Sequence, residues 1–222
     1  MSPSPPKGPL EAFTRLRQLA KPGLVPEAER CEFCSLALGA GHRHLVEVSS
    51  RKIVCACDPC ALRFENAVGR WKLIPRDARA LPAFVLSDVD WEGFALPINL
   101  AFFFHSTPAG KVVAMYPSPA GATESLLPLA SWEALVTANP PLTRMEPDVE
   151  ALLINRLGAT REYYLAPMDV CFELVGLIRL RWRGLSGGDK VWGEIEGFFN
   201  RLREQARPAV SRPAARSEAV HA

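Results

Sequence analysis

Apolar residues recur at every third position in Leu10, Phe13, Leu16 and Leu19 before Pro22 closes the run, a pattern that predicts a short amphipathic helix and linker over 10–27. Residues 44–48 (HLVEV) and 53–57 (IVCAC) instead alternate apolar and polar positions around the polar turn SSRK, which predicts a β-hairpin. Asp58 and Pro59 follow where an N-cap and a first helical residue belong, and ALRFENAV (61–68) continues as a helix. From about residue 82 the pattern changes to apolar stretches parted by Pro and Gly turns. AFVLSDV (83–89), INLAFFFHS (98–106), KVVAMY (111–116) and TESLLPL (123–129) read as strands, with PAG at the bends 108–110 and 119–121. SWEALVTAN (131–139) reads as a short helix capped by Ser131 and ended by Pro140, while VEALLINRL (149–157) fits strand or helix. Asp169 is placed to cap a buried helix over 169–183 with Val170, Leu174, Leu177 and Ile178 on one face. A last amphipathic helix begins at Asp189 after GLSGG, with Trp192, Ile195, Phe199 and Leu202 directed inward.

Together these elements predict an α+β chain: a small N-terminal metal finger of treble-clef or zinc-ribbon type, then an antiparallel sheet domain with C-terminal helices. The Pro/Ser-rich residues 1–9 and the segment 207–222, which lacks an apolar face, read as disordered tails; the finger occupies 28–75 and the α+β domain 80–206. No internal repeat is visible.

Composition narrows the function. Of 222 residues 48% are apolar and 23% charged, an ordinary globular balance, and 26 basic against 24 acidic residues leave a net charge of +2. That charge is too small for the electrostatic footprint of a dedicated nucleic-acid binder. No apolar run approaches the roughly 18–20 residues that span a bilayer, so no membrane role is expected. The N-terminus shows no charged segment leading into an apolar one, so the expected compartment is the reducing cytoplasm.

In such a compartment five cysteines within thirty residues favour metal ligation over disulfides. Cys31-Glu-Phe-Cys34 and Cys57-Asp-Pro-Cys60 are two CxxC turns separated by twenty-two residues. Each turn can aim two thiolates at one ion about 2.3 Å away, and a first-turn position helps to stabilise the Cys60 thiolate. Cys31, Cys34, Cys57 and Cys60 are therefore the first-ranked ligands. Cys55, two residues from Cys57 on a strand, and then His44 follow as alternative donors, with His42 also nearby. Structural Zn2+ is the first expectation. A rubredoxin-type iron centre or an iron-sulfur cluster is the alternative, kept open by the CxCxxC of Cys55 to Cys60 but weakened because Ser35 and Ala61 stand where rubredoxin-like knuckles carry glycine. From Arg30 to Arg63 five basic residues face three acidic ones, and a zinc tetrathiolate adds a formal −2, so the unit is close to neutral. A protein-facing or stabilising finger is expected over a nucleic-acid-binding regulator.

His105, Glu124, Asp148, Glu150 and Asp169 are the available acid/base groups of the second domain, and no spacing ties them together. GxSxG, P-loop and GxGxxG motifs are absent, so no catalytic residue is assigned and a non-enzymatic role is expected. Cys171 and the tryptophans read as core residues.

The motif set CEFC, HRHL, CACDPC, YPSPAGATES, DVEALL, LVGLIR and WRGLSGG resembles an uncharacterised, mainly actinobacterial family often encoded beside uptake nickel-iron hydrogenases, over about residues 28–203. The resemblance implies an accessory role in making or operating a hydrogenase and supplies no catalytic residue. The expectation is a cytoplasmic metal-binding accessory protein whose second domain docks a protein partner, a hydrogenase subunit or its maturation factors. The rival is an iron-containing electron-transfer protein.

Overall fold

A computed structural model describes residues 29–65, 69–125, 132–183 and 187–209. The helix expected over 10–19, Ser131 and most of both tails lie outside the described residues. Two strands, β1 (Arg43–Glu47) and β2 (Lys52–Ala56), form the expected antiparallel hairpin in the register His44↔Cys55 and Leu45↔Val54. The helix α1 (Asp58–Glu65) follows at once. A third strand unanticipated by the sequence pattern, β3 (Trp71–Leu73), pairs with β1 to give the order β2-β1-β3. Its three residues are too few to show a period.

The second part is a seven-stranded sheet in the order β10-β4-β9-β8-β5-β6-β7. Its strands are β4 (Arg79–Ala80), β5 (Leu100–Ser106), β6 (Lys111–Ser118), β7 (Gly121–Glu124), β8 (Glu150–Asn155), β9 (Glu162–Pro167) and β10 (Arg207–Pro208). All pairings are antiparallel except β10 with β4. The last strand thus uses residues that sequence had given to the C-terminal tail.

Both faces of the sheet are covered, which explains the unbroken apolar run of β5. Leu100, Phe102 and Phe104 point toward the long helices α4 (Met168–Arg181) and α5 (Asp189–Gln205), where Leu174, Val175, Ile178, Ile195 and Phe199 complete one core. Ala101 and Phe103 point the other way, to Trp91 and Phe94 from around α2 (Asp88–Gly93), Leu135 of α3 (Trp132–Ala138) and Leu142 of a 3-10 turn (Pro140–Arg144). The same double burial settles 149–157: all six residues of β8 are buried between β5 and β9, so they show no alternation.

Several expectations change. Residues 83–89 are not a strand. Asn139, 2% exposed, donates to Val85 O at 2.9 Å and accepts from Val85 N at 2.7 Å, replacing the ladder bonds with a side chain. Ser87 then caps α2, its hydroxyl accepting from Asp90 N at 3.1 Å. The helix α4 starts one residue earlier than expected, directly from β9, with Pro167 at the cap. Asp169 is therefore a first-turn residue, and its carboxylate turns elsewhere. On α5 the inward positions are Val191, Ile195, Phe198, Phe199 and Leu202; Trp192, expected inward, is 39% exposed and lies edge-on to Trp182 at 6.0 Å.

The N-terminal unit docks on this sheet through its hairpin. Successive residues of β1 face opposite ways: Leu45 enters the unit's own core with Val54 and Ala56, while Val46 joins the core shared with α4 and α5, as does Ile74 just after β3. Polar contacts rim the seam. Lys72 Nζ reaches Asp148 Oδ2 at 2.7 Å, and Arg51 donates to Glu124 at 3.3 Å.

Candidate metal centre

The segment before the hairpin forms a tight knuckle. Cys31 N donates to Leu36 O at 2.9 Å and Ser35 N to Cys31 O at 2.8 Å, so the turn folds back and aims the thiols of Cys31 and Cys34 the same way. Ser35 closes it at φ 63, the left-handed conformation for which glycine is the usual residue. The second pair arises where β2 becomes α1: Cys57 lies past the strand end, Cys60 sits in the first turn, and Ala61 N returns to Cys57 O at 2.9 Å. Phe33, between the first two cysteines, stacks on Phe64 of α1 with centroids 4.2 Å apart and meets Trp71 edge-on at 5.3 Å. This aromatic cluster fastens the knuckle to the helix.

The result brings Cys31, Cys34, Cys57 and Cys60 together, with all four sulfur atoms within 4.8 Å of one another. Cys34 Sγ and Cys57 Sγ are 3.6 Å apart. Tetrahedral coordination with bonds of about 2.3 Å calls for sulfurs about 3.8 Å apart, so the donor set is close enough to hold a metal ion. Cys31 and Cys57 are buried, Cys60 half-buried and Cys34 exposed.

Electrostatics tell the same story. Burial pushes the Cys31 thiol up, but amide hydrogen bonds from Cys57, Phe33 and Cys34, with the Cys34 thiol, outweigh it and lower Cys31 from 9.0 to about 6. Cys34 and Cys60 resist losing a proton. At Cys34 the Leu36 amide pulls downward, yet the thiols of Cys31 and Cys57 and burial together raise it. Cys60 is pushed up to about 12, first by its hydrogen bond to Cys57 and then by burial and the remaining thiols. One thiolate is thus ready and each further negative charge is opposed by those already present, an imbalance that a divalent cation relieves.

A family model matches the chain over residues 30–206, from the knuckle to the end of the last helix. The chain belongs to DUF5947, a family of unknown function. The DUF5947 match spans the four-thiol cluster and the whole seven-stranded sheet except β10. No curated protein and no solved structure matches the chain.

Within this DUF5947 region the alternative donors do not join the four thiols. Cys55 and His44 are cross-strand partners on the opposite face of the hairpin, grouped with His42. The two-residue alternation linking Cys55 to Cys57 fails because the chain leaves the strand after Ala56 and turns into α1. The acid/base residues of the second part are likewise dispersed: Glu124 pairs with Arg51, Asp148 with Lys72, Glu150 with Arg79 at 2.6 Å and Asp169 with His44, while His105 is exposed. Sequence missed the bond from Asp169 to His44, which spans 125 positions and leaves no local signal. Among the described residues no helix is long and apolar enough to cross a membrane.

Proposed function

We propose that this is a metal-binding accessory protein in which Cys31, Cys34, Cys57 and Cys60 hold one structural zinc ion in a treble-clef-like finger, and which acts by docking a protein partner. The convergence of four sulfurs from two CxxC turns within 4.8 Å carries the reading. The order of knuckle, hairpin and helix N-terminus supports the finger, and a closed set of four thiolates suits a structural ion better than an exchangeable one. The docking half draws on Leu36 and Leu62, 56% and 62% exposed, each two residues from a cluster cysteine. The hydrogenase resemblance of the motif set makes nickel-iron hydrogenase subunits and their maturation factors the first partners to try.

Elemental analysis and visible absorption of the anaerobically purified full chain test the metal. The expected result is a colourless protein whose zinc content falls by one ion per chain in a Cys31→Ser/Cys34→Ser variant. Iron with a visible thiolate charge-transfer band would replace this reading with the electron-transfer one. Affinity capture from the native host tests the partner; recovery of no hydrogenase component under gentle conditions removes the hydrogenase assignment and leaves the metal assignment standing.

A further inference from the structure

The hairpin carries a second group of donors that the four-thiol centre does not use. His42 stands just before β1, His44 lies within it, and Cys55 faces His44 across the ladder; their ligand atoms all lie within 4.8 Å of one another. The two groups occupy opposite faces. Leu45, Val54 and Ala56 line the small core beneath Cys31 and Cys57, whereas His44, Val46, Ile53 and Cys55 alternate onto the side that meets α4.

Each imidazole is already fixed through Nδ1. His42 Nδ1 lies 3.1 Å from Gly39 O and 3.5 Å from a Glu29 carboxylate oxygen, and His44 Nδ1 lies 2.7 Å from Asp169 Oδ2. A carbonyl and a carboxylate only accept, so in the neutral rings the proton sits on Nδ1 and the lone pair on Nε2. Such a carboxylate behind a histidine is the usual outer support of a metal ligand. The decisive atom is Nε2 of His42. Among the described residues it is the buried side-chain nitrogen or oxygen without a hydrogen-bond partner, on a side chain only 9% exposed. A buried acceptor with nothing to accept needs an explanation, and an ion held by His42 together with His44 and Cys55, whose donor atoms lie within 4.8 Å of one another, supplies one.

We propose that His42, His44 and Cys55 form a second metal site at the seam between the hairpin and α4, taking a divalent transition ion on two imidazole nitrogens and one thiolate and leaving one position open. Binding transfers the Cys55 thiol proton to solvent and changes no oxidation state. The mixed nitrogen and sulfur set suits zinc or cobalt, and three protein ligands with an open fourth position match exchangeable and catalytic centres, in contrast to the closed four-thiol set. Another use of the same residues, a Cys55 nucleophile driven by His44 and Asp169, fits less well. It gives His42 no task, and the Cys55 amide, which would help to hold an oxyanion, is already donated to Glu32 Oε1 at 3.2 Å. The proposal does not depend on which ion the four thiols hold.

Cobalt(II) titrated anaerobically into the full chain loaded with a single equivalent of zinc, which the four thiols take first, tests it. The expected result is one equivalent bound with a thiolate-to-cobalt charge-transfer band and no zinc released to a chromophoric indicator. Cys55→Ser removes that band. Asp169→Asn, which leaves all three ligands in place, weakens cobalt binding by about 10–100-fold. Azide shifts the ligand-field bands by entering the open position. Retention of zinc by the four-thiol centre serves as the folding control, and if Cys55→Ser fails it, His42→Ala carries the same test, since its ring lies in the turn ahead of β1. A band that survives Cys55→Ser, zinc release in step with cobalt uptake, or no cobalt uptake overturns the site, and ligand-field bands indifferent to azide overturn the open position.

Discussion

Asp148 sits in the left-handed region at φ 70 with its side chain 6% exposed, accepting from Lys72 Nζ at 2.7 Å, Thr107 N at 2.8 Å and Thr107 Oγ1 at 2.5 Å. Burial pushes its carboxyl up, but the Lys72 and Thr107 bonds outweigh burial and hold it below the usual carboxylate range. A folded-state value below the unfolded one gives stability that is present above the ordinary carboxylate pKa and disappears as pH falls through the lowered value. Asp148→Asn keeps the backbone conformation, since asparagine tolerates this region, and loses the charge. It is expected to cost about 1–3 kcal/mol at neutral pH, with the gap from wild type closing on acidification, as read from urea denaturation across pH. None of this was legible in the chain. Lys72 and Asp148 lie 76 positions apart, and only the docking of β3 against the loop before β8 joins them. The cysteines were legible because CxxC is a local spacing, whereas the partition of Cys55 from Cys57 depended on where β2 ends.

Elements with a clear period, the hairpin, β6 and the last helix, could be read directly. Those that escaped were short or buried on both sides: β3, β4 and β9 offer two to six residues each, and β8 has no polar face to reveal its alternation. Residues 83–89 misled in the other direction, because a strand-like run was satisfied by the Asn139 amide instead of a neighbouring strand. The start of α5 rests on a glycine with no substitute. Gly187 has φ +83, and a Cβ there would lie 2.8 Å from Val191 Cγ1 and 3.1 Å from the Trp182 ring. Val191 is fully buried and cannot yield. Gly187→Ala is expected to destabilise by about 1–3 kcal/mol, and Gly188→Ala, which meets no atom within 4 Å, by less, as measured by thermal unfolding of both variants.

At the scale of the whole molecule the two parts differ in what holds them. The sheet has two large cores, one on each face, while among the described residues the N-terminal unit's own core contains six buried ones, of which Cys31 and Cys57 belong to the four-thiol centre. A core that small needs a staple. Chelation is therefore expected to speed hydrogen exchange at the amides of Cys31, Glu32 and Ser35 and in β1 and β2, while the amides of β5 and β8 keep their protection; uniform deprotection of both parts would show instead that they unfold as one. How the two parts meet was not legible in the sequence, because Val46 and Ile53 read as ordinary hairpin residues until the second face of β1 and β2 is seen to be buried.

The final strand sets a condition on how the chain can be shortened. Arg207 N bonds to Ala78 O and Ala209 N to Ala80 O, each at 3.0 Å, so these residues cover the outer rim of β4 and close that side of the sheet with a proline. A truncation after Gln205 would strip this cover and leave β4 a bare edge on which a neighbouring molecule can add a strand. Self-association would then follow from the loss of residues that contribute nothing to either group of metal donors.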